Sequence, residues 1–233
     1  MFNKFHPGPI ITGTKEHWEK VLHYAQKRHF PINYVIHHPG DTYDRLYYIA
    51  SGEVIISNYS PVGDINKLFV MRESSVLGVI GMFGDAHAMA SWRTLTPCQC
   101  YIFERDYIFE EAPRELLIDL IQQTAAMTNS VSRRFSKNHM KRLEVRLARL
   151  LMHLMDACGT NGTPPANSII IRPNMTQKMA SELLDMHYVT LNRIVTTFKE
   201  QGIISDFTKN KLEILNKKIL QQYANGEMPP LEY

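Results

Sequence analysis

Between Met175 and Val195 the chain concentrates side chains that donate and accept hydrogen bonds at helical spacing. Thr176, Gln177 and Lys178 open one helical segment; His187, Tyr188, Val189, Thr190, Asn192 and Arg193 open the next. Only Asp185 and Met186 separate the two, so the helices must cross sharply. Thr176 can cap the first, Ala180 is small enough for a close crossing, and Leu183, Leu191 and Ile194 supply its apolar contact. Asp185 tolerates the positive φ of a sharp turn better than most residues. Two helices joined this tightly form a helix-turn-helix, whose second helix presents its N-terminal half to a major groove. In that docking Thr176, Gln177 and Lys178 meet phosphates, while Arg193 grips a guanine and Asn192 reaches an adenine or thymine edge. The same skeleton also occurs as an αα-hairpin with no nucleic-acid role.

Charge, together with the hairpin after the motif and the heptad seam before it, favours the DNA-binding reading. The formal net charge is +3 overall, but residues 1–131 hold 11 Lys and Arg against 14 Asp and Glu, a net of −3. Residues 132–233 hold 15 against 9, a net of +6, with Arg133, Arg134, Lys137, Lys141, Arg142, Arg146 and Arg149 clustered ahead of the helix pair. A basic run alone is a solvated helix face; beside this motif it points to a polyanion, double-stranded DNA.

The elements that position the motif follow from two changes of period. Residues 15–29 read as a short amphipathic helix (Trp18, Val21, Leu22, Ala25) ended near Pro31. From Ile32 to Phe103 the period is two: Tyr34–Ile36, Leu46–Ala50, Val54–Tyr59, Leu68–Met71 and Cys100–Phe103 are β-branched and aromatic runs bounded by turn residues. Many short strands without a helical crossover predict an antiparallel barrel or roll. After Pro113, Leu117, Ile121, Thr124, Thr128, Val131 and Phe135 are spaced 4, 3, 4, 3, 4, a heptad seam. A helix packed on its own domain gives such a stripe too. The two threonines in its middle favour a paired helix with polar groups at a ligand or partner junction. Ser136–Asn138 breaks the stripe, and a second helix runs through about Cys158. A turn-rich loop over 159–167, a brief strand Ser168–Arg172, helices Thr176–Leu184 and His187–Gln201, and a hairpin of Ile203–Asp206 with Leu212–Leu215 follow. The tail from Asn225 reads as loosely held.

Composition excludes several classes. With 44% hydrophobic and 21% charged residues the chain is neither collagen-like nor disordered. No apolar run approaches the roughly 18 residues of a spanning helix, and MFNKFHPGPI lacks the apolar core of a secretory signal, so a cytoplasmic protein without a membrane partner is expected. Cys98, Cys100 and Cys158 are too few and too oddly spaced for a disulfide framework, a four-thiolate zinc site or an iron–sulfur cluster. Cys98 and Cys100 share one face of a strand and read as core. His37 and His38 point opposite ways on a strand and make a poor haem pair. No spaced His and carboxylate set suits a cupin-like enzyme, so no enzymatic activity and no bound metal are expected.

Three runs together resemble the Crp/Fnr family of transcription regulators: Gly40-Asp41 through Ser51-Gly52-Glu53-Val54, Arg146 through Leu154, and the helix-turn-helix ending Leu191-Asn192-Arg193-Ile194. The resemblance covers about residues 30–220. It implies an α+β chain: an N-terminal antiparallel β-roll of the cyclic-nucleotide-binding type (1–112), a long dimerisation helix (113–136) and a C-terminal winged helix-turn-helix (137–233). It also implies a homodimer, an effector pocket between roll and central helix, and RNA polymerase as a partner.

Cyclic-nucleotide members carry Gly-Glu-Leu and then an Arg, because a cyclic phosphate needs a cation and a ribose hydroxyl needs a carboxylate. This chain has Gly78-Val79-Ile80 and no Arg between Arg72 and Arg93; His87 is the one cation substitute, and it reads as a surface loop residue. An apolar loop would bury the phosphate unpaired, so cyclic AMP is not the expected effector. The chain looks closest to the subgroup that regulates reductive dehalogenases in organohalide-respiring anaerobes and senses halogenated phenols. The expected ligand is a small aromatic molecule held by Gly78, Val79, Ile80, Met89, Ala90, Ser91, Thr124, Met127 and Thr128. A ligand-independent or redox-gated member of the family is the alternative. Family members that read a C·G pair use a Glu where Val189 stands here; Val packs on a thymine methyl instead, which predicts an AT-rich inverted repeat.

Overall fold

A computed structural model describes residues 9–42, 44–59, 65–83, 90–135, 142–158 and 168–231. The chain divides into two compact units between Ser132 and Arg133. No helix among the described residues is long and apolar enough to cross a membrane.

The first unit holds two sheets. One is five-stranded in the order β1 (Ile10–Ile11), β6 (Ile65–Met71), β5 (Val54–Tyr59), β8 (Ala90–Thr94), β3 (Val35–His37). The other is four-stranded in the order β2 (Gln26–Phe30), β9 (Cys98–Glu104), β4 (Arg45–Ser51), β7 (Val76–Leu77). All pairings are antiparallel except β1 with β6. The alternation read from the sequence is what buries them. Along β4, Leu46 and Tyr48 join a cluster with Trp18, Val76, Phe103 and the start of α2, whereas Ile49 joins Val54, Ile56, Phe69 and Trp92 in the other. Cys98 and Cys100 share the second cluster, as their spacing predicts.

Helix α1 (Val79–Phe83) follows β7, and α2 (Arg114–Phe135) follows a π-helical turn at Tyr107–Glu111. The buried face of α2 is Leu116, Asp119, Leu120, Gln123, Ala126, Met127 and Ser130. Of the heptad seam, Ile121 is 68% exposed and Thr128 is exposed, while Leu117, Thr124 and Val131 are half-buried. The side chain of Phe135 and the break at Ser136–Asn138 lie outside the described residues.

Two expectations fail here. Residues 15–29 are not one helix: a 3-10 turn covers Glu19–Tyr24, and Gln26–Phe30 is a strand paired with Cys98–Ile102. The apolar stripe ends at Ala25, so nothing holds a longer helix against the core, and backbone pairing to β9 takes over. The short strands β1, β7 and β8 were also not foreseen, two of them having only two residues each.

The second unit runs α3 (Leu143–Cys158), β10 (Ile169–Ile171), α4 (Gln177–Leu183), α5 (Tyr188–Glu200), β11 (Ile204–Phe207), β12 (Leu212–Ile214) and α6 (Lys217–Asn225), with a sheet ordered β10-β12-β11. Helix α6 packs along α3 and was not foreseen. Asn216 caps its start by accepting from the Ile219 amide, and Gly226 ends it in the left-handed region at φ 81°. The tail from Asn225 is not loose at its start. The Arg142 guanidinium donates to the carbonyls of Gly226 (3.1 Å) and Met228 (2.6 Å), and Arg149 donates to that of Ala224 (2.7 Å). The loop 159–167 lies outside the described residues.

Candidate effector cavity and nucleic-acid interface

A cavity of about 390 Å³ opens between the five-stranded sheet, β7, α1 and α2, a volume in the range of small-molecule sites. Its wall is apolar and aromatic, with Ile56, Phe69, Trp92 and Met127 inside and Ile80, 65% exposed, at the rim. Asn58 is the one polar side chain among the described lining residues. Of the residues proposed from sequence, Gly78, Val79, Ile80, Ala90 and Met127 line it. Ser91 is buried but does not line the cavity, since neighbours along β8 face opposite sides. Thr124 and Thr128 do not line it either, and the Thr124 hydroxyl donates to the Leu120 carbonyl. Met89 and His87 fall outside the described residues.

The geometry of this wall is set locally. Gly78 sits at φ 95°, and a Cβ there would lie 2.4 Å from the Arg45 carbonyl oxygen, so α1 can begin at Val79 only behind a glycine. Gln123 on α2 donates to the Val76 carbonyl (2.7 Å) and accepts from the Val76 amide (2.8 Å), tying β7 to the helix that supplies Met127. Trp92 is flanked by His37 (4.6 Å between ring centroids) and Tyr47 (5.8 Å). The carboxylate of buried Glu53 and the guanidinium of half-buried Arg72 pair with each other (2.8 Å from Nε to Oε1), and neither lines the cavity.

In the second unit α4 and α5 meet at Ala180, Leu183, Leu191 and Ile194, all fully buried. The turn between them puts Asp185 at φ 48°, and Arg146 donates to its carbonyl at 3.1 Å. Burial lowers the Arg146 guanidinium pKa, and Asp185 partly offsets this. Arg142, Arg146 and Arg149, read from sequence as part of a polyanion footprint, donate to carbonyls within their own unit, and Arg142 also pairs with the Glu144 carboxylate at 2.7 Å. The side chains of Arg133, Arg134, Lys137 and Lys141 lie outside the described residues.

The outer face of the pair carries the rest. Tyr188 (47%) and Val189 (48%) are large apolar side chains left exposed at the first turn of α5, beside exposed His187, Asn192 and Arg193 and half-buried Thr190. Lys178 is exposed on α4. Thr176 is the cap foreseen, its hydroxyl accepting from the Met179 amide at 3.1 Å. His187 caps α5 in the same way, Nδ1 accepting from the Val189 amide at 3.3 Å. Sequence reasoning missed how Gln177 is bonded. Its Nε2 donates to the Phe207 carbonyl (2.9 Å) and its Oε1 accepts from Asn192 Nδ2 (3.1 Å).

Among known proteins, the cyclic nucleotide-binding domain family matches residues 27–113 and the Crp-like helix-turn-helix domain family matches residues 145–223. The chain belongs to the Crp/Fnr family. Crp/Fnr regulators are DNA-binding transcription regulators, not enzymes, and this one carries an effector-type domain ahead of its helix-turn-helix. It is 24% identical over 211 residues to a CRP-like cAMP-activated global transcriptional regulator of Mycobacterium tuberculosis, covering 88% of this chain and 87% of that one. It is 24% identical over 204 residues to a global nitrogen regulator of Synechocystis sp., covering 83% and 86%. Among solved structures, a CRP/FNR family transcriptional regulator from Thermus thermophilus superposes with a TM-score of 0.68 at 20% identity, covering 86% of this chain and 98% of that one. OCPA-complexed CprK superposes with a TM-score of 0.68 at 15% identity, covering 96% and 98%; both show the fold.

Proposed function

We propose that this Crp/Fnr regulator acts as a homodimer whose DNA binding is controlled by a small aromatic effector of the halogenated-phenol kind and not by cyclic AMP. The observation that carries this reading is the cavity wall. Phe69 and Trp92 make it partly aromatic, and no Arg, Lys or acidic side chain is among its described residues. A cyclic phosphodiester there would be desolvated without a counter-charge, which is costly. The Mycobacterium tuberculosis relative is cAMP-activated and the CprK structure is OCPA-complexed, so relatives of this fold take more than one ligand. Organohalide respiration as the regulated process rests on the resemblance of the run His187-Tyr-Val-Thr-Leu-Asn-Arg193 and of the apolar loop Val79-Ile80 to that subgroup. A redox gate at Cys98 or Cys100 is disfavoured, because burial pushes the Cys100 thiol up to about 12 and raises that of Cys98, suppressing the reactive thiolate.

Residues 1–112 sense the effector, 113–136 pair the two copies, and 137–233 bind an AT-rich inverted repeat, with RNA polymerase as the further partner. The open seam on α2 supports the dimer, since Ile121 is left uncovered by the described residues of its own chain. Calorimetric titration with cyclic AMP, phenol and halogenated phenols tests the effector. A halogenated phenol should bind, raising stability by about 2.7 kcal/mol at 100 times its Kd; micromolar binding of cyclic AMP would refute the reading. Ile121→Asp places like charges across the two-fold and should give a monomer by sedimentation. A persisting dimer removes the seam.

A further inference from the structure

Gln177 opens α4 directly after its cap, where the sequence places a phosphate contact. Its carboxamide is already engaged at both ends, Nε2 to the carbonyl of Phe207, the last residue of β11, and Oε1 to Asn192 on α5. It therefore joins the hairpin, the first helix and the second helix through one side chain. We infer that Gln177 is a positioning residue for base recognition, holding the Asn192 carboxamide so that its acceptor and one remaining N–H face an adenine edge in each half-site.

The chemistry follows from counting donors. A carboxamide has one acceptor oxygen and two N–H groups. Asn192 gives one N–H to Gln177, which fixes which end of the amide is oxygen and which is nitrogen. Oδ1 and the second N–H remain, the combination that pairs with adenine N6 and N7. Asn192 stands one turn beyond Tyr188 on the exposed face, next to Arg193. Gln177 in turn is oriented by a backbone carbonyl at the turn end of the hairpin, so the placement of β11 is transmitted to a base contact without β11 touching the base. The inference rests on the docking of α5 in the major groove and assigns Gln177 a role different from a phosphate clamp.

The test uses the full chain and DNA selected from a library of randomised half-sites, with Gln177→Met, Asn192→Ala and the double variant. Asn192→Ala should reduce the preference for adenine at one position per half-site by roughly tenfold or more. Gln177→Met should flatten the same position, leave the others unchanged, and add nothing to Asn192→Ala in the double variant. Equal weakening at every position, or independent multiplicative effects in the double variant, overturns the proposal. The Asn192 side-chain amide signals, assigned by nuclear magnetic resonance without DNA, should move in Gln177→Met; unmoved signals overturn the proposal while leaving the groove docking intact. A native chain that enriches no sequence overturns the docking, and the proposal with it.

Discussion

Two glutamines mark the difference between the units. Gln123 is 2% exposed and bonds both polar atoms of its carboxamide to the amide and carbonyl of one residue, Val76. Gln177 is half-buried and connects a backbone carbonyl to another exposed side chain. The first bonds groups that water cannot reach, so its loss falls on stability. The second ends on the exposed Asn192, so its loss falls mainly on what the surface recognises. The same contrast runs through each unit: the cavity is an inward site whose walls are also core, whereas the helix pair is an outward site resting on a core of its own.

The sharpest way to break this contrast is Gln123→Leu. It strands the Val76 amide and carbonyl, at about 1–3 kcal/mol each, so a loss of about 2–6 kcal/mol is expected in urea unfolding. Trp18 and Trp92, the two tryptophans of the chain, both lie in the first unit, and their fluorescence reports it selectively. Gln177→Leu should shift the unfolding of its own unit, followed by circular dichroism, by less than about 1 kcal/mol. Equal losses would erase the distinction.

On the outward side, Arg193→Ala should cost about 1–3 kcal/mol of DNA binding and relax sequence preference, read by competition between half-site variants. On the inward side, burial raises the Cys100 thiol from 9.0 to about 12. The folded state holds its proton more tightly than the unfolded one, so this group's contribution is fully present below pH 9 and is lost as pH rises toward 12. The native chain should therefore lose about 1 kcal/mol relative to Cys100→Val between about pH 8 and pH 10, by urea midpoints. The smallest effect belongs to Lys178→Ala, which should weaken all DNA sites alike and reduce the salt slope by about one. A change in base preference there would place Lys178 on a base.

The helix pair was legible because its information is local. Thr176, Ala180, Asp185 and Leu191 act within a few residues of one another, and the structure places each where spacing put it. The cavity was legible only where the resemblance pointed, at Gly78–Ile80, Ala90 and Met127. Phe69, Trp92 and Ile56 reach it through antiparallel pairings whose partners no local pattern names. Residues 26–30 misled because a polar edge strand has no period of its own. Within the basic cluster, charge counts do not say where a guanidinium points: Arg142 and Arg149 cap the end of α6. That helix carried a readable signal, Asn216 and Gly226 bracketing Ile219, Leu220 and Tyr223.

The Gln123 bonds have a consequence for the order in which the chain is made. Strand β7 is the last in its sheet, and Gln123 occupies the hydrogen-bonding positions that a further strand would take. Unsealed edges recruit strands from other chains. The seal is encoded 47 residues after the edge it covers. During synthesis from the N-terminus the sheet can therefore assemble before its guard has emerged, and its exposure to mispairing is confined to that interval. Truncations ending before α2 would make the interval permanent, and such fragments are expected to aggregate where the full chain does not.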